Sequence, residues 1–231
     1  MRASQTRSHR GAGRAAAPPR IDARVAANFR GRLARWFRRA GRDLPWRRTR
    51  DPYRILVSEP MLQQTQVSRV LDFYPRFLAR FPTLEHLAAA RPARVMEAWA
   101  GLGYYARARN LHALARTVAE LPDDLTALRR LPGVGPYTAG AVVSFAFERR
   151  AALVDTNVAR VLARVFAPKL KPKRPRDLRR LWALAEALLP RTGKAAWTHN
   201  QALMELGALV CTARVKRCGA CPVATVCLSR D

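Results

Sequence analysis

Between Val25 and Gly41 the apolar residues Phe29, Leu33, Trp36 and Phe37 fall at i, i+4, i+7 and i+8, the spacing that gathers side chains on one helix face. Similar patterning predicts further helices over 53–59, 61–80, 84–90, 93–100, 104–120, 124–131, 136–148, 156–166, 177–189 and 195–210. The separators carry Pro, Gly or Asp, as in "FPT", "ARPA", "GLG", "LPDD", "PGVG" and "VDTN", and these residues interrupt helices for distinct steric reasons. No run alternates polar residues with β-branched ones, so the expected class is all-α with short connections. Residues 1–24 lack any apolar period and are rich in Arg, Ser, Gly, Ala and Pro, which predicts a disordered basic tail. "APKLKPKRPRD" (167–177) predicts an exposed basic loop.

Charge sharpens the picture. Lys and Arg number 43 against 16 Asp and Glu, a net charge of +27 across 231 residues. Folding does not need such an excess, and it repels itself in the compact state. A polyanionic partner is expected, nucleic acid first, because phosphate neutralisation supplies much of the affinity of such proteins. A membrane fits poorly: apolar runs such as "AGAVVSFAF" are far too short to span a bilayer. There is no apolar export segment at the N-terminus, so a cytoplasmic, nucleoid-associated monomer is expected. The tail composition also matches an organellar transit peptide, and that alternative stays open.

Cys211, Cys218, Cys221 and Cys227 crowd the last segment with spacing C-x6-C-x2-C-x5-C. Four thiolates this close can hold zinc or an iron–sulfur cluster, and spacing alone leaves both open. In "LPGVGPYTAG" (131–140) Pro132 discourages continuation of the preceding helix, and two glycines permit a left-handed backbone or close approach. Pro136 suits the first turn of the next helix. Such a turn presents the N–H groups of Gly133, Val134 and Gly135 at a positive helix end, which suits a phosphate.

Together these motifs resemble the helix-hairpin-helix DNA glycosylases, and within them the adenine DNA glycosylases of the MutY type. The resemblance rests on "LPWR", "SEPMLQQTQV", "GLGYYARARNLH", "LPGVGPYTAG", "LVDTNVARVLAR", "NQALMELGALVC" and the cysteine spacing, in order over about residues 30–227. It implies a two-domain all-α fold: a six-helix barrel with the hairpin over 51–150, and a [4Fe–4S] cluster domain from 25–50 plus 151–231. Double-stranded DNA with a mismatched or oxidised base would bind across the cleft between them. The family's adenine glycosylases usually continue into a second, Nudix-like domain that reads 8-oxoguanine. The present sequence ends at Asp231, either as a piece of a longer chain or as a short form.

Excising a base requires a proton for the leaving group and a negative charge beside a cation-like sugar, the demands of glycoside hydrolysis. The base must first leave the stack. Glu59 lies among Val57, Met61 and Leu62, neighbours that raise a carboxyl pKa toward that of a general acid. The alternative is an ordinary helix-end glutamate, and the resemblance makes it the catalytic acid. Asp155 reads as the N-cap of the 156–166 helix, where N–H groups keep a carboxylate ionised. By resemblance it stabilises the sugar cation, with Asn157 beside it. Tyr137 stands where lyase-competent relatives carry a nucleophilic lysine, which implies a monofunctional enzyme. The resemblance places Trp46, Arg47, Gln63, Val67, Gln201 and Glu205 around the adenine, with Arg47 donating and Glu205 accepting at the base edge. It makes Gln64 a wedge and Tyr104 an intercalating aromatic, with Tyr105 left to packing. Two other functions remain: a thymine glycosylase acting on T·G mismatches, and a non-catalytic iron–sulfur DNA-binding protein.

Overall fold

The structure is a computed structural model that describes residues 21–230. Most of the expected basic tail therefore lies outside the described residues. The tail's last residues depart from expectation: Asp22 accepts from the Arg24 and Val25 N–H groups and caps a helix that starts at Ala23.

Eleven α-helices account for the described residues' regular structure: α1 (Ala23–Ala40), α2 (Pro52–Leu62), α3 (Val67–Arg80), α4 (Leu84–Ala89), α5 (Pro92–Trp99), α6 (Ala106–Ala115), α7 (Leu125–Leu128), α8 (Pro136–Phe145), α9 (Thr156–Phe166), α10 (Pro175–Leu188) and α11 (Gly193–Leu209). Short 3-10 turns lie at Pro45–Arg47, Cys218–Ala220 and Ala224–Val226. An isolated bridge pairs Cys211 with Lys216. None of the described helices is long and apolar enough to cross a membrane.

The local reasons for these elements are ordinary ones. Asp51, Thr83, Asp124, Asp155 and Thr192 each cap a helix by accepting a main-chain N–H of its first turn, satisfying donors that would otherwise be orphaned. Pro occupies the first turn of α2, α5, α8 and α10, where its missing N–H costs nothing.

Two expectations change. The predicted 61–80 helix is broken at 63–66, where Gln63 is extended and Gln64 has φ of 56°. The carbonyls of Pro60, Met61 and Gln63 instead accept from the Arg107 guanidinium, so a tertiary donor replaces the helical ones. The predicted 104–120 helix contracts to 106–115: at its start Tyr104 has φ of 48°, which no right-handed helix accommodates, and at its end Arg116 and Thr117 turn back in i→i+3 bonds to Ala113 and Leu114.

Packing falls into two groups. Helix α11 lies between α1 and α9, and α10 rests on α9. Helices α2–α6 and α8 pack around one another, with the single-turn α7 against α8. The groups meet where α11 touches α8 and where the Pro45–Arg47 turn touches α2. There, buried Asn200 on α11 donates to Ser144 Oγ on α8 and to the Ala151 carbonyl, both at 2.9 Å. A continuous core including Phe29, Leu33, Trp99, Leu162 and Leu206 runs beneath both groups.

Candidate active site

At the junction of the two groups lies a cavity of about 520 Å³. Glu59 enters it from α2, Tyr137 from α8, Asp155 and Asn157 from the start of α9, and Gln201, Met204 and Glu205 from α11. Trp46 and Arg47 of the 3-10 turn, Gln63 and Gln64 of the loop, and Val67 of α3 complete the wall. Residues from both ends of the sequence thus converge on one space.

Glu59 sits inside α2 rather than at its end and is 3% exposed. Its Oε2 has no hydrogen-bond partner. Burial pushes its pKa up to about 7; Tyr137 pulls it back in part, and the nearby Asp155 charge adds to the rise. A substantial fraction of the carboxyl therefore keeps its proton near neutral pH, the state a general acid needs. Burial also drives the Tyr137 hydroxyl well above its usual range, with Glu59 and Asp155 adding to the effect. The Tyr137 hydroxyl rests 3.9 Å from Met204 Sδ.

Asp155 caps α9 as its position implies, accepting from Val158 N at 2.7 Å and from Asn157 Nδ2 at 3.0 Å. These N–H groups do not lower its pKa overall, because burial raises it by more. A cap inside a cavity is not a cap in water. Asn157 in turn accepts from Arg160 at 2.7 Å. Arg160 also donates to the carbonyls of Gly207 and Cys211, which ties the carboxylate to the cysteine segment. A Cβ on Gly207 would come within 2.7 Å of Asn157 Cβ, so only glycine lets α11 approach α9 this closely.

Arg47 and Glu205 differ from their expected arrangement, since they engage each other rather than facing the cavity as separate donor and acceptor. Glu205 is fully buried and accepts from Arg42 through the main-chain N, Nε and one terminal nitrogen, and from Arg47 at 2.8 Å. Burial alone would raise its pKa; the two guanidiniums overcome that and hold it at about 2. Arg47 further donates to Gln201 Oε1 and to the Arg42 carbonyl. The result is a rigid, pre-organised wall. Trp46 braces it edge-on against Tyr74, ring centroids 5.5 Å apart.

Two exposed elements flank the mouth. Tyr104 is 62% exposed, and Gln64 is exposed in its own left-handed conformation. Tyr105, expected to pack, is also exposed, because Tyr104's backbone turns the chain outward before α6 begins. In the 131–136 hairpin, Gly133 has φ of 74°, and a Cβ there would lie 2.6 Å from Asn110 Cβ. Gly135 is extended, with open space where a Cβ would point. Val134 departs from expectation: it is buried, and its N–H donates to the Leu131 carbonyl at 3.2 Å. The hairpin's outward N–H groups are therefore those of Gly133 and Gly135, which lack protein acceptors among the described residues.

Sequence reasoning missed Arg42, Arg107 and Arg160. No local spacing marks them, because their acceptors lie up to 163 residues away.

The four cysteines line a second, smaller cavity together with Arg164, Lys216, Arg217 and Arg230. All four thiols are free, and Arg164 lies 3.4 Å from Cys211 Sγ. Burial pushes the Cys221 and Cys227 thiols up, and neighbouring cysteines add to the rise. Among the described residues no group of three or more His, Cys, Asp or Glu side chains is arranged to hold a metal ion. Four thiols with cations beside them are the donor type that iron–sulfur clusters take.

Residues 57–186 match the HhH-GPD superfamily of base excision DNA repair proteins, and the chain belongs to that family. It is 44% identical to the human adenine DNA glycosylase over 88% of its own length and 39% of that protein's. It is 48% identical to the adenine DNA glycosylase of Mycobacterium tuberculosis over 83% of its own length and 64% of that protein's. The chain thus spans between about two fifths and two thirds of these relatives. Among solved structures it superposes on a thermostable thymine-DNA glycosylase with TM-score 0.81 at 31% identity, covering 90% of this chain and 97% of that one. It shares its fold with endonuclease III in a trapped covalent DNA intermediate, TM-score 0.75 at 24% identity, covering 91% and 97%.

Proposed function

We propose that the chain is a monofunctional DNA glycosylase that hydrolyses the N-glycosidic bond of adenine mispaired with 8-oxoguanine or guanine. The observation that carries this reading is Glu59: a buried carboxyl with a pKa near 7 that shares one cavity with a second carboxylate. Coupled carboxyls in one site ionise in two steps, and the second proton is held to higher pH than either group alone would hold it. Asp155 accepts two N–H bonds that favour its ionised form, whereas Glu59 Oε2 has no partner, so the proton is assigned to Glu59.

An adenine swung out of the duplex enters the cavity against Trp46, Val67 and the Arg47–Gln201 wall. Glu59 protonates the purine at N7, the glycosidic bond breaks, and Asp155 offsets the charge on the sugar. Glu59, now ionised, takes a proton from the attacking water. Tyr137 has no amine to form a Schiff base, so the product is an abasic site. Gln64 and Tyr104 occupy the gap in the stack, and the Gly133 and Gly135 N–H groups bind phosphate.

We assign the residues from α2 to α8 to a barrel domain and the remainder to a cluster domain. Cys211, Cys218, Cys221 and Cys227 would hold a [4Fe–4S] cluster, which supplies a covalent staple for the last segment. The named adenine glycosylases support the substrate. The thymine-DNA glycosylase covered over nearly its whole length favours a second reading, excision of thymine from T·G. Single-turnover base release from A·8-oxoguanine, A·G and T·G duplexes decides between them: adenine release from the first two is expected, and thymine release alone would overturn the assignment.

A further inference from the structure

The basic stretch between α9 and α10 has no part in the cavity. Lys169, Lys171, Lys173, Arg174, Arg176 and Arg179 are all exposed. None forms an ion pair among the described residues. The stretch is not a loose tail. Leu170 is buried and anchors it, the Leu170 N–H donates to the Ala167 carbonyl, and the Arg174 N–H donates to that of Lys171. The nearest acid, Asp177, is turned onto the main chain and accepts from Lys171 N at 3.0 Å. Six like charges therefore project from an ordered main chain with their mutual repulsion unrelieved by ion pairs, which a polyanion would relieve.

Position indicates which polyanion. Pro175, Arg179 and Trp182 of α10 line one groove with Arg129 and Pro136, and Pro136 opens the helix behind the glycine hairpin. Arg179 thus lines the same groove as Pro136, and the other five charges lie just before or at the start of its helix. We infer that residues 169–179 form a second phosphate-binding surface, which engages the duplex flanking the target nucleotide on the hairpin side. The inference rests on the DNA-binding part of the proposed function and not on which base is excised.

The test is a salt titration of binding to duplexes that carry a single abasic site. One variant removes four charges here (Lys169→Gln, Lys171→Gln, Lys173→Gln and Arg174→Gln). A control removes four exposed charges from α1 (Arg24→Gln, Arg35→Gln, Arg38→Gln and Arg39→Gln). Each phosphate that the protein ceases to neutralise lowers the slope of log affinity against log salt by about 0.9. The first variant is expected to reduce that slope by about 2 to 4 and the control clearly less, with unchanged melting midpoints confirming both folds. The difference should appear only when the duplex arm on one side of the site is long. Equal slopes in the two variants, a slope unchanged from the parent, or dependence on both arms alike overturns the inference. An unchanged slope would instead leave the surface to an acidic protein segment. Parent protein that does not bind duplex at all would sink the proposed function as well, so the two failures are distinguishable.

Discussion

Arg47 and Glu205, 158 residues apart in the chain, meet at 2.8 Å in the wall of the candidate active site. Glu205 has no exposure and Arg42 grips its other oxygen, so the carboxylate is fully committed to two guanidiniums. Removing one partner from a buried ion pair strands the other. Glu205→Gln is expected to cost about 3 kcal/mol of stability, read by denaturant unfolding at pH 7. Because the folded-state pKa is depressed to about 2, the contribution is complete above the unfolded value near 4.5 and is lost as pH falls through 2. The gap between parent and variant should close over that window.

Glu59 behaves oppositely. Its folded-state pKa is raised from 4.5 to about 7, so the unfolded chain ionises first and stability falls as pH rises between those values. Glu59→Gln should stabilise the protein by about 3 kcal/mol at pH 8 while reducing base release at least ~100-fold. Unchanged excision by this variant would refute the acid assignment. In the parent protein the single-turnover rate should decline as pH rises through about 7.

Tyr137 bears on the same titration. Its hydroxyl is the group that pulls the Glu59 pKa down. Tyr137→Phe should therefore move the alkaline limb of the rate profile upward. Borohydride treatment during turnover should trap no covalent DNA adduct with the parent protein; a trapped adduct would mean an amine nucleophile elsewhere.

Arg107 spans two loops. One terminal nitrogen reaches the Pro60, Met61 and Gln63 carbonyls and the other the Leu102 and Gly103 carbonyls at 3.0 Å. It thereby fixes Gln64 and Tyr104, both in left-handed conformations, relative to each other. Lysine offers a single ammonium in place of a planar fork. Arg107→Lys should weaken binding to mismatched duplex about 10-fold or more with a smaller effect on undamaged duplex, measured side by side by titration.

The purified protein should be brown and contain iron and acid-labile sulfide in equal amounts. Cys221→Ser should lose both. A colourless form containing zinc would count against the cluster.

Helix periods, capping residues and the glycine hairpin were legible along the chain because they depend on neighbours within a few positions. The α9 boundary at Asp155 emerged as its sequence implied. The residue types for acid, carboxylate and thiol donors could also be picked out, with family resemblance assigning their roles. The tertiary structure decided how those groups are set. It broke the expected 61–80 helix through a guanidinium more than 40 residues away. It turned Glu205 from a free acceptor into a braced one, buried the Val134 N–H in a turn, and raised the Asp155 pKa despite its cap. Each of these depends on desolvation or on a partner distant in the chain. A linear pattern specifies periodicity; only packing fixes which charges lose their water and what they meet instead.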